Sequence, residues 1–176
     1  MTQHPNRLVR TLSMLDKVPA LLRPRVRNWV LRRAVPFTGT ARLDYAVMTP
    51  EKVEIAITNQ RCVQNHIHGV HAAAMTLLAE TATGMVVGMN VRDDCLPLAK
   101  ELKVQFKRRT QGDMRAVAHL SAQQRRLMQS QDKGEVVVPV TVTDASGEEP
   151  IVCEFIWAWV PSKKKVTAPN PASAPA

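Results

Sequence analysis

Glu80 combines a residue type and a setting that favour chemistry. It is the only charged residue between His71 and Arg92, in a stretch made almost entirely of Ala, Leu, Met, Val, Thr and Gly. A carboxylate on a buried helix loses hydration, which raises its pKa and makes it a candidate general base or nucleophile near neutral pH. Thr76 and Thr83 fall on the same helical stripe, and Thr83 could hold a reacting water. The alternatives are a Glu80 that faces solvent or forms an ion pair with an arginine.

A second set of polar groups precedes this helix. Asn65 and His71 come just before it, and the N–H groups of Ala72 and Ala73, expected to be free, would stabilise negative charge on a carbonyl oxygen. Ala72 and Glu80 are about 12 Å apart along a helix, too far to act on one carbonyl. Two antiparallel copies remove this difficulty. The spacing therefore predicts a two-fold homodimer in which Glu80 of one chain faces the helix N-terminus of the other.

Three histidines near the helix start allow a different interpretation. His66, His68 and His71 could bind a metal, because three imidazoles suit zinc. The histidine-rich pattern of metal hydrolases would also need an Asp at position 70, where this sequence has Val. We therefore predict neither a metal nor another cofactor.

The elements that must position these residues follow from hydrophobic periodicity. The Ala-rich stretch from Val70 to Met89 predicts one long helix, buried nearly all round. Alternation of apolar and polar residues predicts strands on both sides of it. These strands cover two parts of 39–59 separated by a turn at 49–51, the region 102–106, the residues after Gly112, and the regions 136–142 and 151–160. Pro139 suits an edge or a bulge. The order predicts an α+β fold with an antiparallel sheet wrapped around one central helix.

The central segment resembles a known motif. The residues Asn65-x5-His71-Ala-Ala-x4-Leu78-Ala79-Glu80 are similar to the N-x5-H-G-G-x4-L-A-D/E pattern of hotdog-fold acyl-CoA thioesterases of the phenylacetate-degradation type. They also look like a subgroup of hotdog proteins with H-A in place of H-G. The resemblance covers roughly residues 38–160, although its specific part is confined to this motif. It implies a hotdog fold.

The resemblance implies roles for the motif residues. Glu80 would be the general base or nucleophile, and the N–H of Ala72 would polarise the thioester carbonyl. Asn65 would aid the site, and His71 would contact the thioester or orient the turn. The reaction implied is hydrolysis of an acyl thioester of coenzyme A or of an acyl-carrier protein, as in fatty acid metabolism, by a homodimer or a dimer of dimers. The alternative is a binding module of the same fold without turnover.

Substrate contacts can be assigned on the same basis. Ala73 and Thr76 would lie against the acyl thioester. Coenzyme A carries phosphates, and a basic group on or after the strand at 102–106 could bind them; its members are Lys103, Lys107, Arg108 and Arg109. For each one, a solvated strand face is the alternative.

The positive charge is concentrated at the N-terminus. Residues 1–43 contain nine basic residues and one acidic residue, Asp16, within a chain of net charge +9. Leucines and Trp29 among the arginines predict one or two short helices, broken by Pro19 and Pro24. Such an arm could pack on the domain with solvated arginines, or bind an anionic membrane surface or a phosphorylated ligand. Nucleic acid is less favoured, because interleaved aromatic residues are lacking.

Length and composition predict one folded domain with two appendages. The chain has 176 residues, 45% of them hydrophobic, and three cysteines without metal-ligand or disulfide spacing, which fits a soluble protein of the reducing cytoplasm. An apolar run of 18 residues, as a membrane span requires, is lacking. We predict a basic helical extension at 1–37, a hotdog domain at 38–160 and a disordered tail at 161–176.

Overall fold

The structure, a computed structural model, describes residues 6–162. In this part of the chain, three N-terminal helices precede a set of strands that surround one long central helix. The helices are α1 (Arg7–Met14), α2 (Arg23–Ala34), α3 (Pro36–Thr40), α4 (Ala72–Gly88) and α5 (Ala122–Ser130). The strands are β1 (Asp44–Met48), β2 (Lys52–Ile57), β3 (Cys95–Phe106), β4 (Met114–His119), β5 (Gly134–Val138), β6 (Val140–Asp144) and β7 (Ile151–Pro161).

The strands form two antiparallel sheets in the orders β1-β2-β4-β6 and β3-β7-β5. Helix α4 packs against strands of both sheets, so the sheets together enclose it. Strands β5 and β6 are separated only by Pro139, where the chain passes from one sheet to the other. Proline has no N–H to donate, so it interrupts the ladder there. The prediction of an α+β fold with antiparallel strands around one helix is confirmed.

Helix α4 is buried along most of its surface. Nine of its residues are buried, including Leu78, Ala79 and Thr83. It begins two residues later than the sequence predicts, because His71 adopts an extended backbone and caps it. One stripe is only partly buried, and it contains Leu77, Glu80 and Gly84. The central carboxylate therefore lies on the open side of the helix.

The N-terminal helices pack on the rest of the chain. Asn6, which caps α1, donates from Nδ2 to the carbonyls of Gly88 and Val91, each at 2.7 Å, and thereby joins α1 to the end of α4. In α3, the buried Thr38 accepts a hydrogen bond from the Tyr45 hydroxyl at 3.0 Å. The expectation that Pro24 breaks a helix is wrong, because Pro24 lies in the first turn of α2. Proline is tolerated there since that N–H has no partner in the helix.

The boundaries of the predicted segments fall within regular elements. Helix α3 crosses the boundary placed at residues 37 and 38, and β7 extends through Pro161. The rest of the predicted tail, beyond Ser162, lies outside the described residues. The division into three segments stays a prediction.

The sequence interpretation omitted helix α5. Ser121 and Gln124 form a capping box at its start, in which each side chain binds the backbone N–H of the other. Met128 anchors the helix in the core. Among the described helices, none has the length and apolar character that crossing a membrane requires.

Candidate functional site

The N–H of the first residue of α4, Ala72, has no protein partner among the described residues. The Nδ1 atom of His71 accepts a hydrogen bond from the Ala73 N–H at 3.1 Å. The expectation that both N–H groups are free is therefore wrong for Ala73. Within the described residues the N–H of Ala72 has no hydrogen-bond partner, and Ala72 is exposed. The positive end of the helix dipole is thus available at Ala72.

Asn65 shapes the turn that leads into α4. Its Oδ1 accepts hydrogen bonds from the N–H groups of Ile67 at 3.0 Å and Gly69 at 3.1 Å. The hydroxyl of Thr110 accepts from the Val70 N–H at 3.1 Å and ties the turn to the segment after β3. A Cβ at position 69 would lie 2.8 Å from that hydroxyl oxygen, so the approach requires glycine. These contacts fix the position of the helix start.

Glu80 is half-buried, and burial raises the pKa of its carboxyl group. The Thr81 hydroxyl, 3.4 Å from Oε2, acts in the opposite direction on that pKa but does not cancel the effect of burial. None of the ion pairs formed by the described residues includes Glu80. The ion pair with an arginine, which was the alternative for Glu80, is therefore not present within one chain. Burial chiefly raises the pKa of the nearby Tyr45, and the negative charge of Glu80 adds to the rise. Glu80 is a carboxylate without a counter-ion.

The raised pKa of Glu80 predicts a pH-dependent stability. The folded chain keeps the Glu80 proton to a higher pH than the unfolded chain. The contribution of this proton to the free energy of unfolding is therefore fully present below the ordinary glutamate pKa, and it is lost as pH rises through the raised pKa. Glu80→Gln has no such proton. We expect its free energy of unfolding, minus that of the wild type, to increase across this pH window in urea titrations. A difference that decreases with pH would contradict the raised pKa.

The two threonines on the Glu80 stripe differ in their accessibility. The Thr76 hydroxyl donates to the Ala72 carbonyl at 3.0 Å and remains partly exposed. The Thr83 hydroxyl is buried, lies within hydrogen-bond distance of the Ala79 and Glu80 carbonyls, and accepts a hydrogen bond from Trp157 Nε1 at 3.0 Å. These contacts give Thr83 a role in packing, and this geometry lends no support to a water held by Thr83.

Thr83→Val tests this role. The substitution leaves the Trp157 N–H buried without a partner, so we expect a loss of about 1–3 kcal/mol in the free energy of unfolding. Thermal or urea denaturation measures this loss. If Thr83 holds a reacting water instead, the folded variant loses turnover with a smaller change in stability.

Asn65 and three of the four predicted phosphate ligands line one cavity of about 450 Å³. Lys107 and Arg109 are exposed there. Arg108 instead forms an ion pair with the buried Asp144 at 2.9 Å. Although burial pushes the pKa of Asp144 upward, Arg108 and neighbouring hydrogen-bond donors hold it well below its usual range. Lys103 lies elsewhere on β3, between Glu101 and Glu154.

Several groups are not brought together. Glu80 lines neither this cavity nor a smaller one of about 250 Å³, which is lined by His71, Ala73 and Phe37 among others. Residues 6–162 contain no group of three or more His, Cys, Asp or Glu side chains placed to hold a metal ion. Thr110 and Phe37 were absent from the predicted site, because no sequence pattern links them to α4.

A family model described as a domain of unknown function (DUF4442) matches residues 24–160. The chain belongs to the DUF4442 family. No curated protein matches the chain significantly. The match runs from the first turn of α2 to the penultimate residue of β7, and it includes the central helix and strands β1 to β6 of the DUF4442 chain in full.

Solved structures share the fold of the DUF4442 chain. A Pseudomonas aeruginosa protein of unknown function, named a probable thioesterase, is 22% identical with a TM-score of 0.71 over 78% of this chain and 95% of that one. A thioesterase family protein from Silicibacter pomeroyi is 15% identical, with a TM-score of 0.62 over 77% and 96% of the two chains. A mutant thioesterase from Staphylococcus aureus is 16% identical, with a TM-score of 0.62 over 72% and 100%. The DUF4442 chain therefore has the hotdog fold of thioesterase-family proteins.

Proposed function

We propose that the protein hydrolyses acyl thioesters of coenzyme A or of an acyl-carrier protein. The observation that carries the proposal is Glu80, a half-buried carboxylate with a raised pKa and no counter-ion, on the open stripe of α4. A carboxylate without a cation partner is costly to keep at a purely structural position. The unpartnered N–H of Ala72 supplies the complementary group. The motif further suggests the phenylacetate-degradation type, in the subgroup with H-A.

Glu80 and Ala72 would act on one thioester. The carboxylate of Glu80 takes a proton from water, whose oxygen attacks the carbonyl carbon, or attacks that carbon directly. The Ala72 N–H donates to the resulting oxyanion. The C–S bond then breaks, the thiolate takes up a proton, and the carboxylic acid is released. If Glu80 attacks the carbonyl carbon directly, the product of this step is an acyl-enzyme anhydride, and a water molecule hydrolyses it in a second step. Asn65 and His71 hold the turn and helix start in position.

The reaction requires two chains. Ala72 and Glu80 are separated by about 12 Å along α4, so the proposed site combines Ala72 of one chain with Glu80 of a second. Strand β3 supports such a homodimer. It is 12 residues long and lies at the edge of its sheet, with one side unpaired. Its Phe106 faces the buried Ile151 across the ladder and is nevertheless 53% exposed in the single chain. A long edge strand with exposed apolar side chains favours pairing with another chain, although β3 also carries charged residues such as Lys103.

The cavity beside Asn65 is the proposed place for coenzyme A. Lys107 and Arg109 present positive charge at its rim, where they would bind phosphate groups. Arg108 would contribute from its fixed position beside Asp144, and Lys103 from the exposed face of β3. Ala73 and Thr76 would contact the acyl thioester near the helix start. The carrier-protein alternative would use the same charges for an acidic partner.

Thiol release from a panel of short, long and aromatic acyl-CoAs tests the proposal. We expect turnover of at least one class by the wild-type protein. Thermal denaturation with each acyl-CoA gives a second readout, because a ligand bound by the folded state raises the melting temperature. A raised melting temperature without turnover on any thioester would indicate a binding module of the same fold and contradict the enzyme.

A further inference from the structure

The outer face of α2 combines exposed apolar residues with arginines. Arg25, Trp29 and Arg33 recur at intervals of four residues and therefore lie along one stripe of the helix. All three are exposed, Trp29 by 63%. Leu21 and Leu22 precede the helix, and Leu21 is 88% exposed. We call these five residues the α2 outer face.

Other residues of α2 hold the helix on the domain. Leu31 is buried in the core. Asn28 donates to the Asp44 carboxylate at 2.6 Å and accepts from the Tyr45 N–H at 3.0 Å. Arg27 donates to the Ala46 carbonyl at 3.1 Å. Because these contacts orient α2 on β1, the outer face is free for an external partner.

The charge of the α2 outer face is uncompensated. Helix α2 contains five arginines and no acidic residue. None of the ion pairs of the described residues includes Arg25 or Arg33, and the Arg33 guanidinium lies 5.8 Å from the centre of the Trp29 ring. A shallow cavity of about 490 Å³ is lined by Arg25, Trp29 and Arg33 together with Asn28, Arg32 and Gly39. An anionic headgroup would meet two guanidinium groups beside an indole ring.

We propose that the α2 outer face docks on the surface of an anionic lipid bilayer. Tryptophan rings and leucine side chains insert at the boundary between headgroups and acyl chains, and flanking arginines bind acidic headgroups. Nucleic acid fits less well, because the face carries one aromatic residue where binding of single strands uses several. The proposal goes beyond thioester hydrolysis and does not depend on it.

Vesicle flotation with the full chain tests this proposal. We expect binding to vesicles of phosphatidylcholine with phosphatidylglycerol and much weaker binding to phosphatidylcholine alone. The double variant Arg25→Gln, Arg33→Gln should bind mixed vesicles roughly 30-fold more weakly, about fivefold for each arginine. The matched control is Arg126→Gln with Lys133→Gln, two exposed basic residues in α5 and in the connection that follows it, and we expect it to bind as the wild type does.

Trp29 provides an independent readout. The other two tryptophans, Trp157 and Trp159, are buried, so a blue shift of the emission on adding mixed vesicles reports on Trp29. Trp29→Gln should abolish that shift. Equal loss of flotation in the control and test double variants would overturn the proposal, as would wild-type protein that binds polyuridylic acid but not mixed vesicles.

Discussion

Replacing Glu80 by glutamine should reduce thiol release by about 100-fold or more, because general-base catalysis contributes that much or more. Glutamine keeps the shape of the side chain but cannot accept the proton of water or attack a carbonyl. The measurement is kcat for the acyl-CoA on which the wild-type protein is most active. Because Glu80 has no ion pair within the described chain, we expect the variant to fold and to be at least as stable as the wild type at pH 8.

The matched control is Glu54→Gln. Glu54 is also a poorly exposed glutamate, but it lies on β2 and pairs with Lys52 at 3.2 Å and Arg115 at 3.3 Å. We expect this variant to keep its turnover and to lose some stability instead. Unchanged turnover in Glu80→Gln, with an active wild-type protein, would remove Glu80 from the chemistry and leave the fold as the sole link to thioesterases.

The central helix and its strands could be predicted because their signals are local. The alternation of apolar and polar residues along β2 and the Ala-rich composition of α4 are each contained within one element. The burial of these two elements in the structure agrees with those patterns. The sequence places Pro139 at an edge or a bulge, but the transfer of the chain between two sheets at this residue depends on partners distant in sequence. Helix α5 had a local signal in the Ser121 and Gln124 capping box.

The candidate site was less predictable, since its details depend on contacts between distant residues. The sequence places Thr83 on the Glu80 stripe, but Trp157, 74 residues later, occupies its hydroxyl. In the same way Asp144 holds Arg108 at the rim of the cavity. His71 is the opposite case, because its bond to the Ala73 N–H is local. Histidine is not among the residues that preferentially cap helices, so the motif alone did not indicate this bond.

Ala72→Pro should also reduce turnover by about 100-fold, because the loss of one oxyanion donor has an effect of this size. Proline lacks the N–H that would bind the oxyanion. Position 72 suits proline structurally: it is the first residue of α4, it is exposed, and His71 before it has φ −65° and ψ 143°. We therefore expect little change in melting temperature. Ala72→Ser keeps the N–H and serves as the control with retained turnover.

Mixing the two inactive variants tests whether the site is shared between chains. A dimer of one Glu80→Gln chain and one Ala72→Pro chain, isolated through two different tags, contains one site with both groups intact and one with neither. If Ala72 and Glu80 act across the two-fold axis, this dimer should regain about half of the wild-type kcat. If both groups act within one chain, each site carries one defect and the mixed dimer stays inactive. Recovery of activity would thus show that one active site takes Ala72 from one chain and Glu80 from the other. A homodimer paired along the 12-residue edge strand β3 would account for this sharing, because Ala72 and Glu80 of one chain are too far apart along α4 to act together.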